Sequence, residues 1–207
     1  MNAGPRIAVL DYGIGNLRSA EKALQHVGAA ARLVTDPAEV GAADAVVLPG
    51  VGAFGACARA LGESGLEEAA RDALRAGLPF FGVCVGFQLL YEGSAESPGA
   101  QGLGYFAGKV RPLPVGVKHP QMQWNRLEVR GADEPDALRG LGERPWVYFV
   151  HSFAPPVGDE TVAVCDYGGP VAALAARGNL WGAQFHPEKS GTTGLALLAN
   201  FVALAAP

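Results

Sequence analysis

Cys84 lies in the run Phe80-Phe81-Gly82-Val83-Cys84-Val85-Gly86-Phe87-Gln88. An apolar, strand-like stretch, FFGV, delivers a single thiol into a turn flanked by two glycines, and VGFQLLYE beyond it reads as a helix. This is a G-x-nucleophile-x-G elbow with cysteine at its apex. A turn this sharp strains the nucleophile's backbone, and side chains in place of the glycines would strike neighbouring elements. A helix start beside the sulfur supplies free backbone N–H groups and a positive dipole end. Both favour the reactive thiolate. The competing reading is a small buried residue after a core strand, a common fate of free cysteine.

A second cluster weighs against that bland reading. Near the C-terminus, LWGAQF reads as a strand ending at His186, and Glu188 follows two residues later with Pro187 between them. A cysteine nucleophile needs a base or imidazolium partner, and that partner needs an acceptor to orient it. Cys84, His186 and Glu188 are therefore the expected triad. His151, in YFVHSF, competes for the role of base but has no carboxylate two residues on. Acyl transfer from an amide makes a tetrahedral oxyanion, which needs two preorganised N–H donors. Val85, next to the nucleophile, supplies one. The other is expected from Val51 or Gly52, in Pro49-Gly50-Val51-Gly52 after a core strand. No His/Cys/Asp cluster has metal-ligand spacing, so neither metal nor cofactor is expected.

GVCVGFQLL together with QFHPE resembles the class I glutamine amidotransferases, triad-type enzymes that release ammonia from glutamine. Further segments match in family order: LDYGIGNLRS (10–19), LPGVGAF (48–54), FFGVCVGFQLLYEGSAE (80–96), PQMQWN (120–125), YFVHSF (148–153) and QFHPEKS (184–190). LDYGIGNL, PGVG and YFVHS narrow the likeness to the glutaminase subunits of imidazole glycerol phosphate synthases, in histidine biosynthesis. The resemblance implies a single-domain, flavodoxin-like α/β fold with a mixed central sheet over residues 1–207. It implies L-glutamine as substrate and a heterodimer with a cyclase subunit shaped as a (β/α)₈ barrel. Gln88, on the Cys84 face of the elbow helix, is then expected to hold the substrate's α-carboxylate or amine. Glu96 is expected to pair with its ammonium, with Glu92 as rival. Ser152 and Phe153 are expected to line the glutamine pocket through backbone groups. Tyr148, His151, Trp124, Asn125 and Asn16 are expected on the partner-facing side. The family commonly has histidine and glycine where Gln121 and Gln123 stand here.

The elements that must position these residues read as follows. RIAVL (6–10), ARLV (31–34), DAVVLPG (44–50) and FFGV are strands. Helical periodicity runs from Asn16 to about Val27, over about 54–62, and over 65–76. Thr35-Asp36-Pro37 marks a helix start. Strands alternating with helices, with continuous apolar runs, indicate a parallel sheet covered on both faces. Past residue 103, FAGKVRPLP, MQWNRLEVR, WVYFVHSF, TVAVCDY, VAALAARG and LWGAQF read as strands with more antiparallel pairing. A last helix covers about 192–204.

Bulk properties exclude several classes. With 207 residues and 49% hydrophobic content, the chain fits one large domain with an ample core. A net charge of -4 offers no basic footprint for nucleic acid. Three separated cysteines, Cys57, Cys84 and Cys165, suggest no disulfide framework, and Cys57 and Cys165 read as structural. The longest apolar tract, 195–207, is too short and interrupted to span a bilayer, and no signal peptide is evident. A cytoplasmic location is expected. Gly13-Ile14-Gly15-Asn16 lacks the third glycine of a dinucleotide site, because Arg18 stands there. It reads as a tight strand-to-helix turn.

Overall fold

The structure, a computed structural model, describes residues 4–131 and 134–206. In chain order, β1 (Arg6–Leu10) leads to α1 (Leu17–His26), β2 (Ala30–Val34), α2 (Pro37–Val40) and β3 (Ala45–Gly50). Helices α3 (Phe54–Glu63) and α4 (Leu66–Arg75) precede β4 (Phe80–Cys84) and α5 (Val85–Gln88). Short strands β5 (Gly93–Ser94) and β6 (Lys109–Pro112) follow. Then come β7 (Gln121–Arg126), β8 (Glu128–Val129), β9 (Trp146–His151) and β10 (Phe153–Ala154). The chain closes with β11 (Thr161–Asp166), β12 (Pro170–Arg177), β13 (Leu180–Ala183) and α6 (Gly191–Leu204).

Eight strands form the central sheet in the order β2-β1-β3-β4-β13-β12-β11-β8. The first five run parallel and the last three pair antiparallel. The mixed α/β sheet expected from the sequence is therefore the observed one. The central strands β3, β4 and β13 are buried at every position. Burial on both faces is why they read as unbroken apolar runs. Asp36 caps α2, its side chain accepting from the Ala38 N–H at 2.9 Å. Phe81, Trp181 and Phe201 pack ring against ring, which seats α6 on β4 and β13. A Cβ at Gly182 would overlap the Phe87 ring, so the glycine makes room for it.

Register decides where the site forms. Gly50 of β3 lies beside Cys84, and Ala183 of β13 lies beside Val83. The loops leaving β3, β4 and β13 therefore emerge side by side at their carboxyl ends. That end of a parallel sheet is where α/β folds place ligands. A two-stranded ribbon, β7 against β9, pairs Gln121 with His151 and Trp124 with Tyr148.

Four expectations are corrected. The elbow helix does not run through VGFQLLYE: α5 stops at Gln88. The Leu89 carbonyl accepts from the Leu103 N–H, and the Leu90 carbonyl accepts from Tyr105 and Phe106, so the next turn belongs to another segment. A single helical turn carries little dipole, which removes that part of the argument for a thiolate and leaves the local N–H groups. The strand in LWGAQF ends at Ala183, three residues before His186. MQWNRLEVR divides into β7 and β8, which belong to different sheets. WVYFVHSF is interrupted at Ser152, whose carbonyl accepts from the Leu113 N–H, and resumes as β10 against β6.

Candidate active site

Cys84 has φ 56° and ψ -112°, and among the described residues it is the one non-glycine with positive φ. Such a conformation costs on the order of 1–3 kcal/mol and persists where the surroundings over-determine it. Both flanking glycines are required by close approach. A Cβ at Gly82 would lie 2.8 Å from the Gly86 carbonyl oxygen, and one at Gly86 would overlap the Leu48 carbonyl oxygen of β3. The nucleophile elbow is thus wedged between its own helix start and the neighbouring strand.

Three residues past the end of β13, His186 shares the pocket with Cys84 and bonds its sulfur through the ring. Its Nδ1 lies 2.8 Å from Glu188 Oε1, and both side chains are almost wholly buried. The His186 N–H donates to the Tyr148 carbonyl at 3.0 Å. Ser190 Oγ donates to the His186 carbonyl at 2.7 Å and accepts from the Tyr148 N–H at 3.0 Å. The imidazole is thereby held from its backbone as well as its ring. Burial alone would lower the His186 pKa, but the bonds and charges of Cys84 and Glu188 outweigh it and hold the ring well above the ordinary histidine range. Burial would raise Glu188, and His186 pulls it below the ordinary carboxylate range. The pair favours an imidazolium facing the sulfur and an ionised orienting carboxylate behind it.

A pocket of about 280 Å³ gathers Cys84, His186, Val85, Val51, Gly52, Gln88, Glu96, His151, Ser152 and Phe153. Pro120 and Val150 complete its wall. Gln88 Nε2 is already committed, donating to the Phe153 carbonyl at 2.9 Å and to Gln184 Oε1 at 3.0 Å. Glu96 accepts from the Phe54 N–H at 2.7 Å, capping α3 while it lines the pocket. Its rival Glu92 is exposed and borders a different cleft. His151 is buried, with Nδ1 2.9 Å from the Phe153 carbonyl, which accepts only if Nδ1 carries the proton. Burial lowers its pKa to about 4, so it stays neutral. It lacks any carboxylate partner among the described residues, unlike His186.

The residues expected on the partner side divide. Trp124 is 47% exposed and stacks edge-on against Tyr148, with ring centroids 6.0 Å apart. Met122 and Trp146 are exposed on the same ribbon. Asn125 instead ties β7 to β11, its Nδ2 donating to the Asp166 carbonyl at 2.9 Å. Asn16 turns inward: Nδ2 donates to Glu188 Oε1 at 3.2 Å. The sequence reading missed that link, which joins residues 172 positions apart. It also missed Gln184, whose Nε2 lies 3.8 Å from the Cys84 sulfur. Gln184 precedes His186 by two residues, a spacing that hinted at a shared face. Among the described residues no group of three His, Cys, Asp or Glu side chains is placed to hold a metal. No helix among them is long and apolar enough to cross a membrane.

The family model for "Glutamine amidotransferase class-I" matches residues 8–205. "Imidazole glycerol phosphate synthase subunit HisH" of Deinococcus radiodurans is 50% identical over 206 residues, covering 97% of this chain and 94% of its own. The protein of the same name from Thermosynechococcus vestitus is 48% identical, covering 98% of each chain. A solved structure described as "Crystal structure of glutamine amidotransferase" superposes with a TM-score of 0.76 at 24% identity, over 96% of this chain and 98% of that one. A match that begins inside β1 and ends past α6 takes in every element of the site, and the chain belongs to the class I glutamine amidotransferase family.

Proposed function

We propose that the chain is the glutaminase subunit of an imidazole glycerol phosphate synthase, hydrolysing L-glutamine to glutamate and ammonia. The observation that carries the chemistry is one pocket holding a strained Cys84 and an imidazole bonded at 2.8 Å to a buried carboxylate. Near 50% identity over almost the whole length to proteins of that name supports the narrower assignment.

In this reading the Cys84 thiolate attacks the side-chain amide carbon, and the C=O electrons move onto oxygen. The Val85 N–H and an N–H of the 51–52 loop stabilise that oxyanion. The carbonyl re-forms as the C–N bond breaks, and His186 gives its proton to the departing nitrogen, which leaves as ammonia. His186, now neutral, takes a proton from water as the oxygen attacks the thioester. A second oxyanion collapses to glutamate and restores the thiolate and imidazolium. Glu188 keeps Nδ1 protonated throughout, and Asn16 fixes Glu188. Glu96 faces the substrate ammonium. Gln88 shapes the α-carboxylate end, with Ser152 and Phe153 backbone groups beside it.

The ammonia is used by a cyclase partner of (β/α)₈-barrel form, in the cytoplasm. Met122, Trp124 and Trp146, exposed on the β7–β9 ribbon, provide the apolar docking face, with Tyr148 and His151 between it and the pocket. The test is glutamine turnover by the purified chain, alone and with the cyclase subunit and its ligand. Weak turnover alone and a gain of about 10²-fold or more with the partner is expected, the size of one gained oxyanion donor. No glutamine turnover under either condition would reject the assignment.

A further inference from the structure

Gln184 is fully buried, and the chemistry above leaves it without a role. It follows β13 directly, and its backbone N–H donates to the Ala173 carbonyl at 2.9 Å. A buried primary amide is costly unless its donors and acceptor are engaged. Both ends of this one are engaged inside the site. Its Oε1 accepts from Gln88 Nε2 at 3.0 Å, and its Nε2 lies 3.8 Å from the Cys84 sulfur.

The direction of both amides follows from one backbone group. The Phe153 carbonyl can only accept, and Gln88 Nε2 lies 2.9 Å from it, so Gln88 presents nitrogen there. The other hydrogen of that nitrogen reaches Gln184. Gln184 must therefore turn its oxygen to Gln88, which leaves its NH2 group for Cys84. The fixed end of this chain is well held: Phe153 pairs with Pro112 across β10 and β6, and its carbonyl also takes the His151 Nδ1 contact at 2.9 Å. His186, two residues beyond Gln184, bonds the same sulfur through its ring. The sulfur thus lies between an imidazolium and an amide, both of which donate.

We propose that Gln184 is a further catalytic residue: its side-chain amide donates to the Cys84 thiolate and, with His186, holds the sulfur in place for attack. Gln88 is the positioning residue that turns this amide. A bond to a charged acceptor is stronger than its neutral counterpart, so the amide favours thiolate over thiol. The inference rests on the glutaminase reading and deepens it.

The test is the pH profile of Cys84 alkylation by iodoacetamide in the purified chain, read from the mass of the Cys84 peptide. Alkylation requires the thiolate, so its rate falls along an acid limb as the sulfur takes a proton. Gln184→Met keeps the length of the side chain and removes the donor. It should move that limb to higher pH by roughly 0.5–1 unit, the size of one modest hydrogen bond, which makes alkylation about three- to tenfold slower on the acid side. The titratable groups around Cys84 are His186, Glu188, His151, Glu96, Tyr12 and Cys57, and all are unchanged in the variants. Gln88→Met should move the limb the same way by no more than Gln184→Met does. The double variant should move it no further than Gln184→Met alone, because Gln88 acts through Gln184. Glutamine kcat of the complex with the cyclase subunit should fall by a similar factor on the acid side in Gln184→Met. A limb at the wild-type position in Gln184→Met, or a further shift in the double variant, would overturn the proposal. If Gln184→Met does not fold, Gln88→Met decides, and an unmoved limb there overturns it. Absence of glutamine turnover in wild type would fell the glutaminase reading instead. The alkylation profile needs no glutamine and would still decide whether the amide serves the thiolate.

Discussion

Replacing His151 with asparagine should flatten the acid limb of the stability curve. The asparagine amide keeps a donor for the Phe153 carbonyl, which accepts from Nδ1 in the native protein. The structure holds this buried imidazole at a pKa of about 4, against 6.5 for an ordinary histidine. The cause is burial first, opposed by the Phe153 carbonyl and reinforced by the nearby His186. Between those two values the unfolded chain binds a proton that the native chain refuses. Stability therefore rises with pH across the window and falls as pH drops from 6.5 toward 4. At about 1.4 kcal/mol per pH unit, the wild type should lose about 3 kcal/mol there through His151. His186 acts elsewhere. Its raised pKa contributes stability that is complete below 6.5 and is lost only as pH climbs through the raised value. Glu188, with its lowered pKa, loses stability on acidification as His151 does, but that loss is common to both proteins and cancels in the comparison. The assay is urea unfolding of wild type and His151→Asn at steps from pH 7 to 4, with slopes checked for constancy. Parallel curves would refute the picture of a neutral, buried His151.

Two further substitutions probe the frame of the site, and a third is a control away from it. Gly86→Ala should cost at least about 3 kcal/mol or prevent folding, because its Cβ would overlap the Leu48 carbonyl and backbone cannot swing aside as a side chain can. Gly41→Ala, where a Cβ meets nothing within 4 Å and φ is -66°, should stay within about 0.5 kcal/mol of wild type in the same urea titration. Asn16→Ala should lower kcat for glutamine several-fold at unchanged KM, since Glu188 loses one of its two side-chain partners. Unchanged turnover would show that Asn16 does not position the carboxylate.

What could be read in advance divides along physical lines. The parallel half of the sheet was legible because strands buried on both faces leave unbroken apolar runs, as RIAVL and FFGV do. Cys84, His186 and Glu188 stood out because nucleophilic chemistry demands particular residue types at short, constrained spacing. The length of α5 was not legible, because Leu89 and Leu90 give their carbonyls to residues 103–106. Nor was the inward turn of Asn16, which depends on α1 and the segment after β13 meeting in space. The short strands past residue 103 were located but not assigned to sheets. Alternation there marks an extended segment without naming its partner, so one run became both β7 and β8.

The most direct test of the central claim is covalent. The purified chain is treated with a glutamine-analogue electrophile, and the labelled cysteine is located by peptide mass. Glutamine hydrolysis by Cys84→Ala is measured alongside. The account predicts label on Cys84 alone, none on the buried Cys57 and Cys165, and a loss of turnover on the order of 10³-fold or more in a variant that still folds. Equal labelling of the three cysteines, or wild-type turnover by Cys84→Ala, would contradict it.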